Sequence, residues 1–134
     1  PHRPIDLGPA KAALEALVEA FPGAEAGVKE EWDVFALSVE GKIFGLLGRN
    51  SGAMILTLKG DPLENEALRQ EFPEVIPGYH MNKKHWNSVL LETATLSPEH
   101  IAELVEASYD LVFAGLTKRR QGELRERHAI LRAT

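Results

Sequence analysis

Two short stretches of alternating polarity, 34–39 (Val-Phe-Ala-Leu-Ser-Val) and 42–47 (Lys-Ile-Phe-Gly-Leu-Leu), are separated only by Glu40-Gly41, and they constrain this chain more than any other feature. A two-residue loop ending in glycine is the connection that a tight β-hairpin requires. It places Val39 opposite Lys42, Leu37 opposite Phe44 and Phe35 opposite Leu46. The large apolar side chains then share one face, as a real register demands. A second turn at Asn50-Ser51-Gly52 leads into 53–59, where Met54, Leu56 and Leu58 point one way and Thr57 and Lys59 the other. Gly41 and Gly52 serve the turns, while Gly45 and Gly48 mark strand irregularity.

The helices that cover such a sheet are readable too. Leu14, Leu17, Val18 and Phe21 fall at i, i+3, i+4 and i+7 behind Pro9, and Pro22-Gly23 closes a helix over 9–21. Asp61-Pro62-Leu63-Glu64 is a capped helix start, and that helix stops before Pro73. Shorter strands follow at 75–79 and 86–92. Ser97-Pro98-Glu99 opens a long helix whose buried stripe is Ile101, Leu104, Val105, Ser108, Leu111 and Val112. Its opposite face carries Glu99, Glu103, Glu106 and Asp110. The order α-β-β-β-α-β-β-α, without βαβ alternation, describes a two-layer α+β domain: an antiparallel sheet with helices on one face. It occupies residues 1–117, and 118–134 form a basic, frayed helical tail.

A chain of 134 residues, 44% hydrophobic and 26% charged, has the size and composition of one globular domain. It has no cysteine, so disulfides and thiolate chemistry are excluded and a reducing cytoplasm suits it. No apolar run reaches the length of a membrane span, and 1–6 carry no signal-peptide pattern. The net charge of −5 is uneven: 118–132 hold six bases against two acids, leaving nine against eighteen in 1–117.

Against that acidic background, 77–87 (Pro-Gly-Tyr-His-Met-Asn-Lys-Lys-His-Trp-Asn) contains no carboxylate. His80 and His85 are five apart, which suits neither a helical nor a strand ligand pair, so no metal or cofactor is expected. No serine sits in a nucleophile elbow and no glycine run cradles phosphate, so no catalytic residue is assigned. Nucleic-acid contact fits better. Lys83 and Lys84 suit phosphates, Asn82 and Asn87 suit base edges or sugars, and Trp86 or Tyr79 suit stacking, with Lys42 and Lys59 at neighbouring strand ends. An equally weighted reading has Trp86 anchoring its strand with Tyr79 against it and the lysines in a solvated turn. The acidic stripe of 99–110 and the basic 118–132 are complementary, which leaves docking of a protein partner or of a second copy as the alternative.

Several of these runs resemble the MmcQ/YjbR family of small bacterial proteins. The match is carried by Leu58-Lys59-Gly60-Asp61-Pro62, Leu68-Arg69, the whole of 77–87 and Ser108-Tyr109-Asp110-Leu111-Val112. Val39-Glu40-Gly41-Lys42-Ile43-Phe44 is similar to its G-K-x-F hairpin. The resemblance implies a compact secretion-chaperone-like domain with "double wing" strand pairs and a DNA-binding, non-enzymatic role. It brings no catalytic residues. The positions it marks are Lys42, Lys59, Tyr79, His80, Asn82, Lys83, Lys84, His85 and Trp86, and 118–134 lie outside it.

Overall fold

The computed structural model describes residues 8–50, 52–78, 81–93 and 95–133. Its elements are α1 (Gly8–Val18), β1 (Ala24–Lys29), β2 (Val34–Val39), β3 (Lys42–Asn50), β4 (Ala53–Lys59), α2 (Pro62–Glu71), β5 (Val75–Pro77), β6 (Trp86–Leu90), α3 (Pro98–Ala114) and α4 (Lys118–Ala133). One antiparallel sheet runs in the order β1-β2-β3-β4-β6-β5. The expected layering holds, with one strand more than the sequence suggested. Strand β1 (Ala-Glu-Ala-Gly-Val-Lys) has a single β-branched residue and no strong alternation, yet it pairs with β2 over its full length. Its pairing partner overrides its weak propensity.

The hairpin turn has both central residues at positive φ, 52° at Glu40 and 76° at Gly41, so its twist matches that of the flanking strands. Val39 faces Lys42 as expected. Beyond that the register shifts: Leu37 pairs with Gly45 and Phe35 with Leu47, in place of Phe44 and Leu46. Phe44 is the extra residue of a β-bulge. The bulge turns Leu47 into the core and leaves Leu46 half-buried. Gly45 makes it possible, since a Cβ there would lie 2.9 Å from Leu37 Cδ1.

The main core joins Phe35, Leu37, Val39, Phe44, Leu47, Leu56 and Leu58 from the sheet to Leu14, Val18, Val105, Tyr109, Val112, Phe113 and Leu124 from α1, α3 and α4. Tyr109 stacks between Phe21 and Phe113, takes Phe44 edge-on, and donates to Pro22 O at 2.6 Å. Burial, reinforced by the Asp110 charge and opposed by Arg125, pushes its phenol up to about 12. The expected stripe of α3 needs one correction. Leu111 is 43% exposed, and Tyr109 and Phe113 hold the inward positions instead.

Helix α4 is a docked element rather than a frayed extension. Leu124 lies in the core and Gln121 donates to Leu116 O at 2.8 Å. Arg120 bridges to Glu40 in the hairpin turn at 2.8 Å, and His128 Nε2 meets Glu19 O at 2.8 Å. The Arg125 guanidinium lies 4.9 Å from the Phe113 ring centre.

A smaller cluster of Val75, Val89 and Leu96 seals the other side of the sheet's covered face, with Leu68 and Phe72 against it. Beside it the buried Glu74 carboxylate accepts from the backbone N–H groups of Thr95 and Leu96 and from the Thr95 hydroxyl, fixing the approach to α3. Burial opposes ionisation of Glu74. The N–H of its own backbone, Thr95 and Leu96 prevail and hold the carboxyl below its ordinary value of 4.5. A depressed carboxyl contributes stability that is complete above 4.5 and is lost as pH falls through the lower folded value. The urea midpoint of Glu74→Gln should therefore lie below that of wild type at pH 7, and the gap should close on acidification below about pH 4.5. A gap that widens in acid would contradict the assignment.

Candidate nucleic-acid interface

Strand directions bring three of the sequence-marked segments to one end of the sheet. Strand β3 begins at Lys42, β4 ends at Lys59, and β6 begins at Trp86 directly opposite Lys59. Leu58 and Asn87, the next pair, point into the helix layer, so Lys59 and Trp86 point to the helix-free face. Behind them on that face the buried Thr57 and Ser88 hydroxyls bond each other at 2.7 Å.

The turn at 82–86 adjoins this pair. Asn82 Oδ1 accepts from Lys84 N at 2.9 Å, and Asn82 O accepts from His85 N and Trp86 N at 3.2 and 3.0 Å. An Asx-type turn of this kind closes on itself and turns its next side chains outward. Lys83, Lys84 and His85 are exposed, as are Asn82 and Lys42, while Lys59 and Trp86 are half-buried. Tyr79 and His80 lie outside the described residues.

Among the described residues, Asn87 is the marked position whose side chain is consumed in the interior. It is 5% exposed, its Nδ2 donates to Asn65 O at 3.1 Å, and its Oδ1 accepts from Arg69 Nη1 at 2.7 Å. An amide so engaged has no edge left for a base, so Asn87 instead ties β6 to α2.

Two residues that sequence reasoning did not single out for the site hold the turn in place. Asn65 Nδ2 donates to both Gly60 O (3.2 Å) and Lys84 O (3.1 Å), and Arg69 Nη1 reaches Lys83 O at 3.4 Å. Gly60 N donates in turn to His85 O at 2.9 Å. The signal for Asn65 was present. It takes an inward position on α2 in line with Leu68 and Phe72, where an apolar residue is the norm. Asp61 caps that helix through Leu63 N and Glu64 N at 3.1 and 3.3 Å, as its sequence dictated.

Ser108 is a third such residue. Its packed position was legible, but its hydroxyl also accepts from Lys59 N at 2.9 Å and donates to Phe44 O at 2.5 Å. It thus ties the bulge to the strand that carries Lys59.

The acidic residues Glu99, Glu103, Glu106 and Asp110 are exposed on the outer face of α3, across the helix layer from Lys59 and Trp86. Part of the positive charge of α4 is spent at home, since Arg119 and Arg120 bond Glu123, and Arg120 also bonds Glu40. Hydrogen bonds from Arg120 come first among the causes that hold the Glu40 and Glu123 carboxyls below their ordinary range.

An open antiparallel sheet, covered on one face by four helices and ending in a rigid cationic turn, defines a class of small α+β domains. The YjbR family model matches residues 19–111, and the chain belongs to that family. It is 41% identical over 95 residues to the uncharacterised protein YbdF of Escherichia coli, covering 71% of this chain and 75% of that one. The uncharacterised protein YjbR of Escherichia coli is 37% identical over 90 residues, covering 67% and 75%. Among solved structures, Deinococcus radiodurans protein DR2400, described by a DUF419 domain, superposes with a TM-score of 0.75 at 32% identity over 84% of this chain and 86% of its own. A Pseudomonas syringae protein superposes with a TM-score of 0.61 at 25% identity, covering 75% and 96%. Among the described residues no helix is long and apolar enough to cross a membrane.

Proposed function

We propose that this protein is a non-enzymatic, cytoplasmic DNA-binding domain that grips the phosphate backbone with the end of its sheet. The observation that supports this most is the pinned turn. Lys83 and Lys84 are exposed while their carbonyls are held by Arg69 and Asn65, so two cations are displayed on a backbone that loses little entropy on binding. Lys59 and Lys42 extend the positive edge along neighbouring strands, and Trp86 with His85 supplies ring surface beside it. Phosphate contacts of this kind position a nucleic acid without reading its sequence. The acidic face of α3 points elsewhere, which keeps its four carboxylates away from the interface.

Titration of labelled duplex and single-stranded DNA at two salt concentrations tests this. Wild type should show log affinity falling with log salt, and Lys83→Ala/Lys84→Ala should reduce that slope by about 0.9 for each duplex phosphate the variant no longer neutralises. Equal and negligible binding by the two proteins would eliminate the proposal.

A further inference from the structure

Strand β1 closes one side of the sheet, and among the described residues no strand pairs with its outer edge. Six residues of exposed strand edge form a template for another strand. Three features of this edge are unexplained by the fold of a single copy. Val28 is 58% exposed although it lies on the same side of the sheet as the core residue Phe35. Gly27 interrupts the strand, yet its φ is not positive and a Cβ added there would meet nothing within 4 Å. Glu25 and Lys29 are exposed on the helix-free face, evenly spaced about Gly27.

We propose that the chain forms a symmetric dimer in which β1 pairs antiparallel with β1 of a second copy, centred on Gly27. In that register Glu25 of each copy faces Lys29 of the other on the helix-free side, giving two cross-strand ion pairs. Ala26 faces Val28 on the opposite side, which covers the exposed valine. Gly27 faces its own counterpart on the symmetry axis. A glycine inside a strand often marks such a close approach of a second backbone. Registers displaced by one or two residues oppose neither charge to its counter-ion, so the charges select this one. Because the axis stands perpendicular to the joined sheets, the two helix-free faces lie side by side and present both Lys59–Trp86 pairs on one surface. The dimer does not depend on DNA binding.

Sedimentation equilibrium of the whole chain at low and moderate salt tests the dimer. Wild type should dimerise. Glu25→Lys alone, or Lys29→Glu alone, places like charges opposite each other twice and should weaken the dimer by about tenfold or more. Mixing the two variants restores both ion pairs, so the mixture should form heterodimers, and the double exchange in one chain should recover the homodimer. Circular dichroism confirms that each variant is folded. A wild type that is monomeric at every concentration, a dimer indifferent to either reversal, or a mixture that shows no recovery each overturns the proposal.

Discussion

Ser108→Ala should lower stability by about 2–3 kcal/mol, although it removes a single oxygen atom, because that oxygen serves two backbone groups at once. Its hydroxyl accepts from Lys59 N and donates to Phe44 O. These groups sit just past Gly45 and Leu58, the final pair of the β3–β4 ladder. Each backbone group left unsatisfied in a buried setting costs about 1–3 kcal/mol, and partial solvation of the half-buried Lys59 trims the sum. In a domain of this size the melting temperature should fall by about 3–5 °C per kcal/mol. Urea unfolding should show a lower midpoint with an unchanged slope, since the folded surface stays the same. An unfolding free energy within about 0.5 kcal/mol of wild type would mean that β3 and β4 close up and pair directly in the absence of the hydroxyl.

The bulge beside Ser108 also shows where sequence reading stops. Alternation in 34–47 specified the hairpin, its two-residue turn and its first pair, because a period of two and a glycine are local properties. The shift at Phe44 depends on Leu37 needing the space above Gly45, a packing relation between strands that no local pattern encodes. Strand β1 was illegible for a related reason: its conformation comes from β2 rather than from Ala24–Lys29 itself. The site divides the same way. Exposed Lys83, Lys84 and His85 follow from a polar turn, but the burial of Asn87 follows from Asn65 and Arg69, which come from α2. Amide and guanidinium groups look like ligand-binding chemistry in a sequence even when their ligands are the protein's own carbonyls. Leu111 and Phe113 illustrate the ambiguity in helices, where neighbouring positions both fit a wide apolar stripe and packing against Tyr109 selects one.

The substitution that best separates geometry from charge at the interface is Gly78→Ala. Gly78 is buried, and its N–H donates to Trp86 O at 2.8 Å. A Cβ there would stand 2.6 Å from Trp86 Cβ, 2.9 Å from Trp86 O and 3.0 Å from Trp86 C. Two of these three atoms are backbone. Trp86 cannot retreat freely, since its own N–H is bonded to Asn82 O and its strand is paired with β4 at Lys59. Forcing the methyl in should cost about 3 kcal/mol, the upper part of the range for overpacking a tight site. The strain falls on the residue that links the turn to the helix-free face, so the Trp86 indole resonance should shift while those of the distant β1–β2 pair stay put. Every charge is retained. On the DNA-binding function proposed above, affinity at fixed salt should therefore fall several-fold with the salt slope unchanged, the reverse of the pattern expected for Lys83→Ala/Lys84→Ala. Wild-type affinity in a protein whose Trp86 has visibly moved would show that the lysines act without the ring beside them. An unaltered indole resonance and unaltered stability would show that the close approach of Gly78 to Trp86 has room to give.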